Sequence, residues 1–176
     1  MATSQRESLK NLQERLASRL AQAKRSGVEA SWLAVELRGQ GVLLPLVHAG
    51  EIFPLPVIQS VPYTAPWFLG VSALRGGLMG VVDLARLLGL GADDRSAPGV
   101  DAKVVALNAA LGVNAALLVD RLVGLRGPSM FAGANPRPDD SPPVFAQRLT
   151  DVHGQQWQEL NLQVLVEWPE FLSVMA

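Results

Sequence analysis

Glycine and proline divide this sequence into short apolar segments, and this division restricts the fold more than any other feature. The 176 residues include 16 glycines and 12 prolines, and 49% of all residues are hydrophobic. Apolar residues alternate with others between these breakers, as in Leu33, Val35 and Leu37. Because a period of two is typical of strands, the pattern predicts a mainly β fold of many short strands. About five strands in each half favour a pair of small β-barrels.

The first predicted element is a β-hairpin between Ser31 and Val47. We expect its turn at Gly39-Gln40-Gly41, because glycine accepts the left-handed conformations that tight turns require. The next segment, PLPVIQSVPYTAPWF, contains four prolines between Pro54 and Pro66. Proline cannot donate a hydrogen bond to a strand ladder, so this segment should run extended along an edge.

The stretch VSALRGGLMGVVDLARLLG, from Val71 to Gly89, changes period within a few residues. It predicts a strand near Phe68 to Leu74, a turn at Arg75-Gly76-Gly77 and a strand from Leu78 to Val82. A short helix from Asp83 to Leu88 should follow, with Asp83 as its N-cap. The sequence therefore predicts a strand, turn, strand and helix in succession.

The second half contains the same kinds of element. The apolar run from Val104 to Val119 includes Asn108, Gly112 and Asn114, which favours two strands around a turn over a membrane span. The remaining predictions are a linker at Gly89 to Asp101, a β region at Ala102 to Arg126, a mobile loop at Gly127 to Pro143, strands at Phe145 to Val152 and Gln156 to Glu159, and a helix from Asn161.

A weak internal repeat links the two halves at an offset of 78 residues. A turn glycine, a strand end, an Asx helix cap and two leucines recur in both copies. The matching positions are Gly76 with Gly154, Val82 with Leu160, Asp83 with Asn161, Leu84 with Leu162, and Leu87 with Leu165. The repeat predicts two similar β units, each closed by a short helix.

The N-terminal residues predict an amphipathic helix from about Ser4 to Arg25. Its leucines recur at spacings of three and four residues, and Gly27 offers a stop signal. Six basic and two acidic residues give this segment a charge of +4, which leaves −5 for the rest of the chain. Three interpretations stay open: a helix that packs on the body, a partner helix and a membrane-surface helix. No secretory signal is expected.

Catalytic chemistry has little support in this sequence. Cysteine is absent, and the two histidines, His48 and His153, lie outside any recognised metal-ligand spacing. The adjacent carboxylates Asp93-Asp94 and Asp139-Asp140 lie in predicted loops, where the geometry for acid/base work is not held. No nucleotide-binding glycine loop or serine elbow is present. We therefore expect a binding module without cofactor or metal, and not an enzyme.

Nucleic acid is an unfavourable partner on charge alone. The formal net charge is −1, the body is acidic and only 6% of residues are aromatic. Such a body offers neither a basic stripe for phosphates nor stacking platforms for bases. Charged residues make up only 18% of the chain, below the usual value of about 25%, which favours a surface partly covered by protein.

The segment GEIFPLPVIQSVPYTAPWFLGVSALRGGLMGVVDLARLLGL, Gly50 to Leu90, resembles the core of the CheW-like domain. The family pattern has a Glu-Ile pair, a proline-rich extended chain, an aromatic residue, GVINLRG and VVDL. ALLVDRLVGL, Ala116 to Leu125, looks like the family's second valine-rich strand. The resemblance covers about Trp32 to Phe171 and departs from the pattern at Ala73, an asparagine in the family, and Gly80, a proline.

The resemblance implies two linked five-stranded SH3-like β-barrels, with residues 30–172 as the CheW-like domain and residues 1–27 as an N-terminal helical extension. It implies a cytoplasmic, non-catalytic adaptor at membrane receptor arrays, without direct membrane insertion. The implied partners are the cytoplasmic hairpin tip of a chemoreceptor and the regulatory domain of a CheA-type histidine kinase, with weak self-association in arrays. The basic leucine helix resembles adaptors of type IV pilus (twitching) systems. A flagellar adaptor and another protein-binding or membrane-associated β module are the alternatives.

The family's most recognisable positions fall on Glu51, Gly70, Leu74, Arg75 and Gly76 of this chain. We expect Glu51 to pair with Arg75 beside a groove between the barrels, either as part of an interface or as a tie between strands. The two glycines would allow close backbone approach, by packing or by a receptor helix. The small residues Ala49 and Val71 would form an apolar floor. The predicted partner-binding residues are Ala49, Glu51, Gly70, Val71, Leu74, Arg75 and Gly76.

Overall fold

A computed structural model describes residues 11, 13–17, 31–91 and 97–176. Within these residues eleven strands form two antiparallel-rich sheets, which confirms the mainly β fold. The strands are β1 (Trp32–Leu37), β2 (Gln40–Pro45), β3 (Ala49–Pro54), β4 (Phe68–Leu74), β5 (Gly77–Asp83), β6 (Lys103–Leu107), β7 (Ala115–Val119), β8 (Arg121–Arg126), β9 (Phe131–Asn135), β10 (Phe145–Asp151) and β11 (Gln156–Leu160).

The two sheets are not the two halves of the chain. A six-stranded sheet has the order β8-β1-β2-β11-β10-β9, and a five-stranded sheet has the order β3-β6-β7-β5-β4. The six-stranded sheet thus contains the first two strands and the last four, whereas the middle of the chain forms the five-stranded sheet. Each sheet is joined internally by one parallel pair, β2 with β11 and β5 with β7. The first and last strands of the described chain therefore lie in the same unit.

One strand of each parallel pair, β5 or β11, leads into a short capped helix, as the repeat predicts. The helix α1 (Leu84–Leu87) is capped by Asp83, whose Oδ1 accepts from the Arg86 backbone N–H at 3.1 Å. The helix α2 (Leu162–Glu167) is capped by Asn161, whose Oδ1 accepts from the Val164 N–H at 3.1 Å. A further short helix, α3 (Pro169–Leu172), follows directly.

The largest apolar cluster lies between the sheets and joins them. Leu33, Val35 and Leu37 enter it from one face of β1, which confirms the period-two prediction, while Ala34 points the other way. Members of this central cluster include Val82, Leu84, Leu117, Leu160, Leu162 and Leu165. Burial of these side chains stabilises both units together, at about 25 cal/mol per Å² of apolar surface.

Each sheet also curls around a small cluster of its own. In the five-stranded unit, Phe53 from β3 and Leu69 from β4 pack against one cluster, so the two edge strands approach each other. In the six-stranded unit, Val123 from the edge strand β8 and Phe131 from the edge strand β9 pack against a second small cluster. The five-stranded cluster consists of Leu74, Val81, Ala102, Val104, Ala116 and Leu118. Two small barrel-like units that share a wall result.

Two sequence predictions need correction. The segment Gly127 to Pro143, predicted as a mobile loop, contains a 3₁₀ turn at Pro128–Met130 and the edge strand β9. This strand pairs with β10 and gives its sheet six strands instead of five. The first hairpin turns at Arg38-Gly39, with φ of 49° and 77°, one residue before the predicted position.

The predicted N-terminal helix falls mostly outside the described residues. Residues 11 and 13–17 are helical and exposed, and residues 92–96 of the predicted linker also lie outside the description. No helix among the described residues combines the length and apolar character needed to cross a membrane. The run from Val104 to Val119 forms β6 and β7 around a 3₁₀ turn, as predicted.

Candidate functional site

The candidate site is centred on the β4–β5 hairpin, whose turn consists of Arg75 and Gly76. Both residues have positive φ, 55° and 70°. Two consecutive left-handed residues match the twist of the flanking strands, which explains the tight two-residue connection between Leu74 and Gly77. Arg75, at the first turn position, has an unfavourable backbone conformation, since only glycine accepts positive φ freely. The guanidinium thereby projects from the hairpin tip.

The predicted ion pair between Glu51 and Arg75 is present. The Arg75 Nε contacts the Glu51 Oε2, and the two side chains are 61% and 45% exposed. Glu51 lies on β3 and Arg75 follows β4, and these strands are the two edges of the five-stranded sheet. The pair therefore joins edges that share no ladder in the strand order, and it fixes a charged group at the rim of the unit.

Leu74, predicted as a partner-binding residue, points into the five-stranded unit. It is only 6% exposed and packs in the cluster that Phe53 and Leu69 cover. Its contribution is to anchor the hairpin end that carries Arg75, because burial of a leucine holds the strand in register.

The two predicted glycines serve different purposes. A Cβ built at Gly70 would lie 2.1 Å from the Gln59 carbonyl oxygen, and Gly70 has φ of 139°. The proline-rich segment crosses at this point, with backbone hydrogen bonds in both directions between Gln59 and Val71. Gly70 thus allows close packing within the chain. Gly76 has open space around its Cα, so its role is the turn conformation.

Ala49 and Val71 lie on different edge strands. Ala49 begins β3, pairs with Leu107 and packs against the central cluster. Val71 is half-buried on β4 and lies opposite Gly80. The structure brings Glu51, Leu74, Arg75 and Gly76 to one end of the unit, whereas Ala49 lies beside the wall between the units.

An uncharged face on the β4–β5 hairpin completes the site. Leu74 and Ser72 point inward, so the alternate residues Val71 and Ala73 point outward. Their cross-strand partners are Gly80 and Leu78, and Leu78 is 63% exposed. We call Val71, Ala73, Leu78 and Gly80 the hairpin face. Sequence reasoning missed Leu78, which the hairpin register with Ala73 identifies.

Gly80 explains one departure from the family pattern. Its N–H donates to the Asn114 carbonyl at 2.9 Å, a bond that proline cannot make. A Cβ at this position would also lie 2.8 Å from the Phe68 ring. The ring of Phe68 therefore covers the position that a larger residue occupies in the family pattern, and the hairpin face becomes flatter and more apolar.

A second exposed ion pair lies on the other sheet and provides a comparison. Arg121 Nη2 donates to Glu36 Oε2 at 2.7 Å across β8 and β1. This hydrogen bond raises the pKa of Arg121 above its ordinary value. The exposures of the two side chains, 50% and 35%, are close to those of the pair at the hairpin tip.

The described residues offer binding surfaces and no evident metal centre. No group of three or more histidine, aspartate or glutamate side chains in the described ranges could hold a metal ion. The site is instead an apolar hairpin face with one arginine-carboxylate pair at its rim, an arrangement suited to recognition of another protein.

Comparison with known proteins agrees with this architecture. The model of the CheW-like domain matches residues 31–170. The curated protein PilI of Pseudomonas aeruginosa is 26% identical over 151 residues, which cover 82% of this chain and 80% of that protein. The crystal structure of the scaffolding protein TtCheW from Thermoanaerobacter tengcongensis superposes with a TM-score of 0.62 at 18% identity. This match covers 74% of this chain and 87% of that structure.

Proposed function

Because this chain belongs to the family of CheW-like domains, we propose that it couples chemoreceptors to a CheA-type histidine kinase. The family consists of non-catalytic scaffold proteins of chemotaxis-type signalling. The adaptor would comprise residues 30–172, with residues 1–27 as an extension. It would perform no chemistry of its own and would act in the cytoplasm, at membrane receptor arrays.

The observation that carries this proposal is the hairpin face beside the Glu51–Arg75 pair. A receptor hairpin tip is helical, and a flat apolar strand surface accommodates a helix face without steric obstruction. Arg75 would then contact polar groups of the receptor at the rim, while Glu51 holds the guanidinium in place. Arginine held by a carboxylate loses little side-chain entropy on binding, which favours recognition.

Coupling requires a second contact, with the regulatory domain of the kinase. An adaptor that touches both proteins transmits a free energy between receptor state and kinase state. The two units of this fold share the central cluster, so a partner on one unit is rigidly related to a partner on the other. Exposed edge strands such as β9 add surface for such contacts and for weak self-association in arrays.

We assign the output to type IV pili. The similarity to PilI over most of both chains supports a pilus chemosensory system. Control of flagella is the alternative output. Deletion of the gene should impair twitching and leave swimming unchanged, whereas the reverse result would support the flagellar alternative.

Binding measurements with the receptor tip and with the kinase regulatory domain test the site. We expect Arg75→Ala to weaken receptor binding by about tenfold or more, which corresponds to 1.4 kcal/mol. The matched control is Arg121→Ala, which removes an ion pair of similar exposure from the other sheet and should leave receptor binding unchanged. Equal losses in both variants, or unchanged binding in Arg75→Ala with intact folding, would exclude this site.

A further inference from the structure

A trough beside Asp83 is lined by residues of the five-stranded unit and by Glu36 and Arg121, which lie on β1 and β8 of the six-stranded sheet. It consists of two cavities of about 670 and 460 Å³ that share Asp83, Ala97, Pro98 and Leu118 as walls. Apolar side chains line one end, and they are Leu55, Pro56, Ile58, Pro66 and Leu69. We call this feature the Asp83 trough. It is distinct from the hairpin face, which lies on the outer side of β4 and β5.

The other end of the Asp83 trough is acidic. Four carboxylates and two arginines line it: Glu36, Asp83, Asp101 and Asp120, with Arg38 and Arg121. Arg121 pairs with Glu36, and Arg38 Nη2 lies 3.9 Å from Asp83 Oδ2. Asp101 and Asp120 therefore give this end an excess negative charge. Asp120 accepts a hydrogen bond from the Arg38 backbone N–H at 2.7 Å.

Arg86 lines the apolar end of the trough, together with Asp83. Its Nη1 donates to the Pro66 carbonyl at 2.8 Å, and its Nε lies 4.0 Å from Asp83. These contacts direct its charge along the wall of the trough. Apart from Arg86 and Asp83, the apolar end is lined by leucine, isoleucine, proline and alanine side chains.

The N-terminal segment has the complementary character. Leu9, Leu12, Leu16 and Leu20 form an apolar stripe, and residues 1–25 carry a charge of +4. In the described part of this segment, residues 13–17 are helical and Leu16 is 52% exposed. A helix with one apolar face and basic flanks requires a surface that is apolar beside acidic groups.

The chain length permits this contact within one molecule. Strand β1 runs from Trp32 to Leu37 and leads from Ser31 to Glu36 and Arg38, which line the trough. Five strand residues span about 17 Å at ~3.3 Å each. The thirteen residues 18–30 reach about 43 Å when extended, at the same rise per residue. The segment is therefore long enough to return to the trough.

We propose that residues 4–25 dock in the Asp83 trough of their own molecule. The leucine stripe contacts the apolar end, and the basic residues lie near Asp101 and Asp120. In this structure the described residues 13–17 do not line the trough, so docking would bury a surface that they leave exposed. This proposal is independent of the receptor contact on the hairpin face.

Engineered cysteines provide a direct test, because the natural chain has none. We would cross-link full-length protein that carries Leu16→Cys with Leu55→Cys, at the exposed rim of the apolar end. The control pair is Leu16→Cys with Val152→Cys; Val152 is 62% exposed in the turn that follows β10 of the other sheet. We expect the yield of monomeric cross-linked protein to be about tenfold higher for the first pair, because docking raises the effective concentration.

A charge reversal then tests the acidic end. Asp101→Lys, added to the Leu16→Cys and Leu55→Cys pair, should reduce the yield of monomeric cross-linked protein. In the same pair without Asp101→Lys, 1 M salt should also reduce that yield. Circular dichroism would verify folding of each variant. Equal yields for the two cysteine pairs would overturn the proposal. Cross-links that form only between molecules would overturn it as well, since the occupant would then be a second copy.

Discussion

The carboxylate of Glu51 contacts the Arg75 guanidinium across the two edge strands of the five-stranded sheet. Since both side chains are exposed, the pair should contribute at most about 1 kcal/mol to stability. We expect Glu51→Ala and Arg75→Ala to lower the free energy of unfolding only slightly, with a coupling energy below about 1 kcal/mol in a double-mutant cycle. Urea denaturation measures both quantities. A coupling energy several times larger would identify the pair as a structural tie.

Gly70 and Gly76 should respond very differently to alanine. Gly70→Ala places a Cβ against the Gln59 carbonyl oxygen, and neither β4 nor the proline-rich segment can move aside without breaking backbone contacts. We expect a loss of more than about 3 kcal/mol, or failure to fold, because backbone strain and overpacking add. Gly76→Ala meets no neighbour within 4 Å and should cost about 1–2 kcal/mol for its positive φ. Similar melting temperatures for the two variants would contradict this assignment.

The two helix caps provide a comparison within one chain. Asn161→Ala should destabilise by about 1 kcal/mol through loss of the cap on α2. Asp83→Ala should cost more, because Asp83 is buried and also faces Arg38 and Arg86 at about 4 Å. Its removal leaves two arginines without that carboxylate. Denaturant unfolding of both variants gives the difference, and equal losses would show that Asp83 acts only as a cap.

Asp151 makes the stability of the fold depend on pH in the acidic range. Its carboxylate accepts from Trp157 Nε1 at 3.0 Å and from the His153 and Gln155 backbone N–H groups at 2.9 Å. The bond from Trp157 is the largest cause that lowers the pKa of Asp151, and the two backbone bonds add to it. The folded state therefore holds this proton less tightly than the unfolded state does.

The resulting stability is fully present above the unfolded pKa of about 3.9 and is lost as pH falls through the lower folded value. We expect Asp151→Asn to flatten the loss of melting temperature between pH 5 and pH 2, a window from about one unit above that reference to about two units below it. Thermal melts across this range provide the measurement. An unchanged slope in the variant would contradict the assignment.

Local elements were predictable from the sequence, because their signals lie within a few residues. The turn at Arg75-Gly76, the cap at Asp83 and its repeat at Asn161 all depend on backbone conformations that few residues accept. The Glu51–Arg75 pair was also anticipated, through the family resemblance. The period of Leu33, Val35 and Leu37 identified the buried face of β1.

Assembly of the sheets was not predictable in the same way. Strand β9 has the sequence FAGAN, whose alanines, glycine and asparagine favour strands poorly, and its pairing with β10 is a tertiary effect. The parallel contact of β2 with β11 involves two residue pairs more than 110 positions apart. Nothing local in either strand encodes that partner. The inward orientation of Leu74 likewise depends on how the sheet curls.

Reconstitution of the kinase with its receptor tests the central claim most directly. The measured quantity is the rate of kinase autophosphorylation with receptor in its two signalling states, with and without this protein. We expect the rate to depend on receptor state only when the protein is present, and Arg75→Ala to weaken that dependence while Arg121→Ala preserves it. The same dependence on receptor state without the protein would contradict the account. An autophosphorylation rate that does not depend on receptor state when the protein is present would contradict it as well.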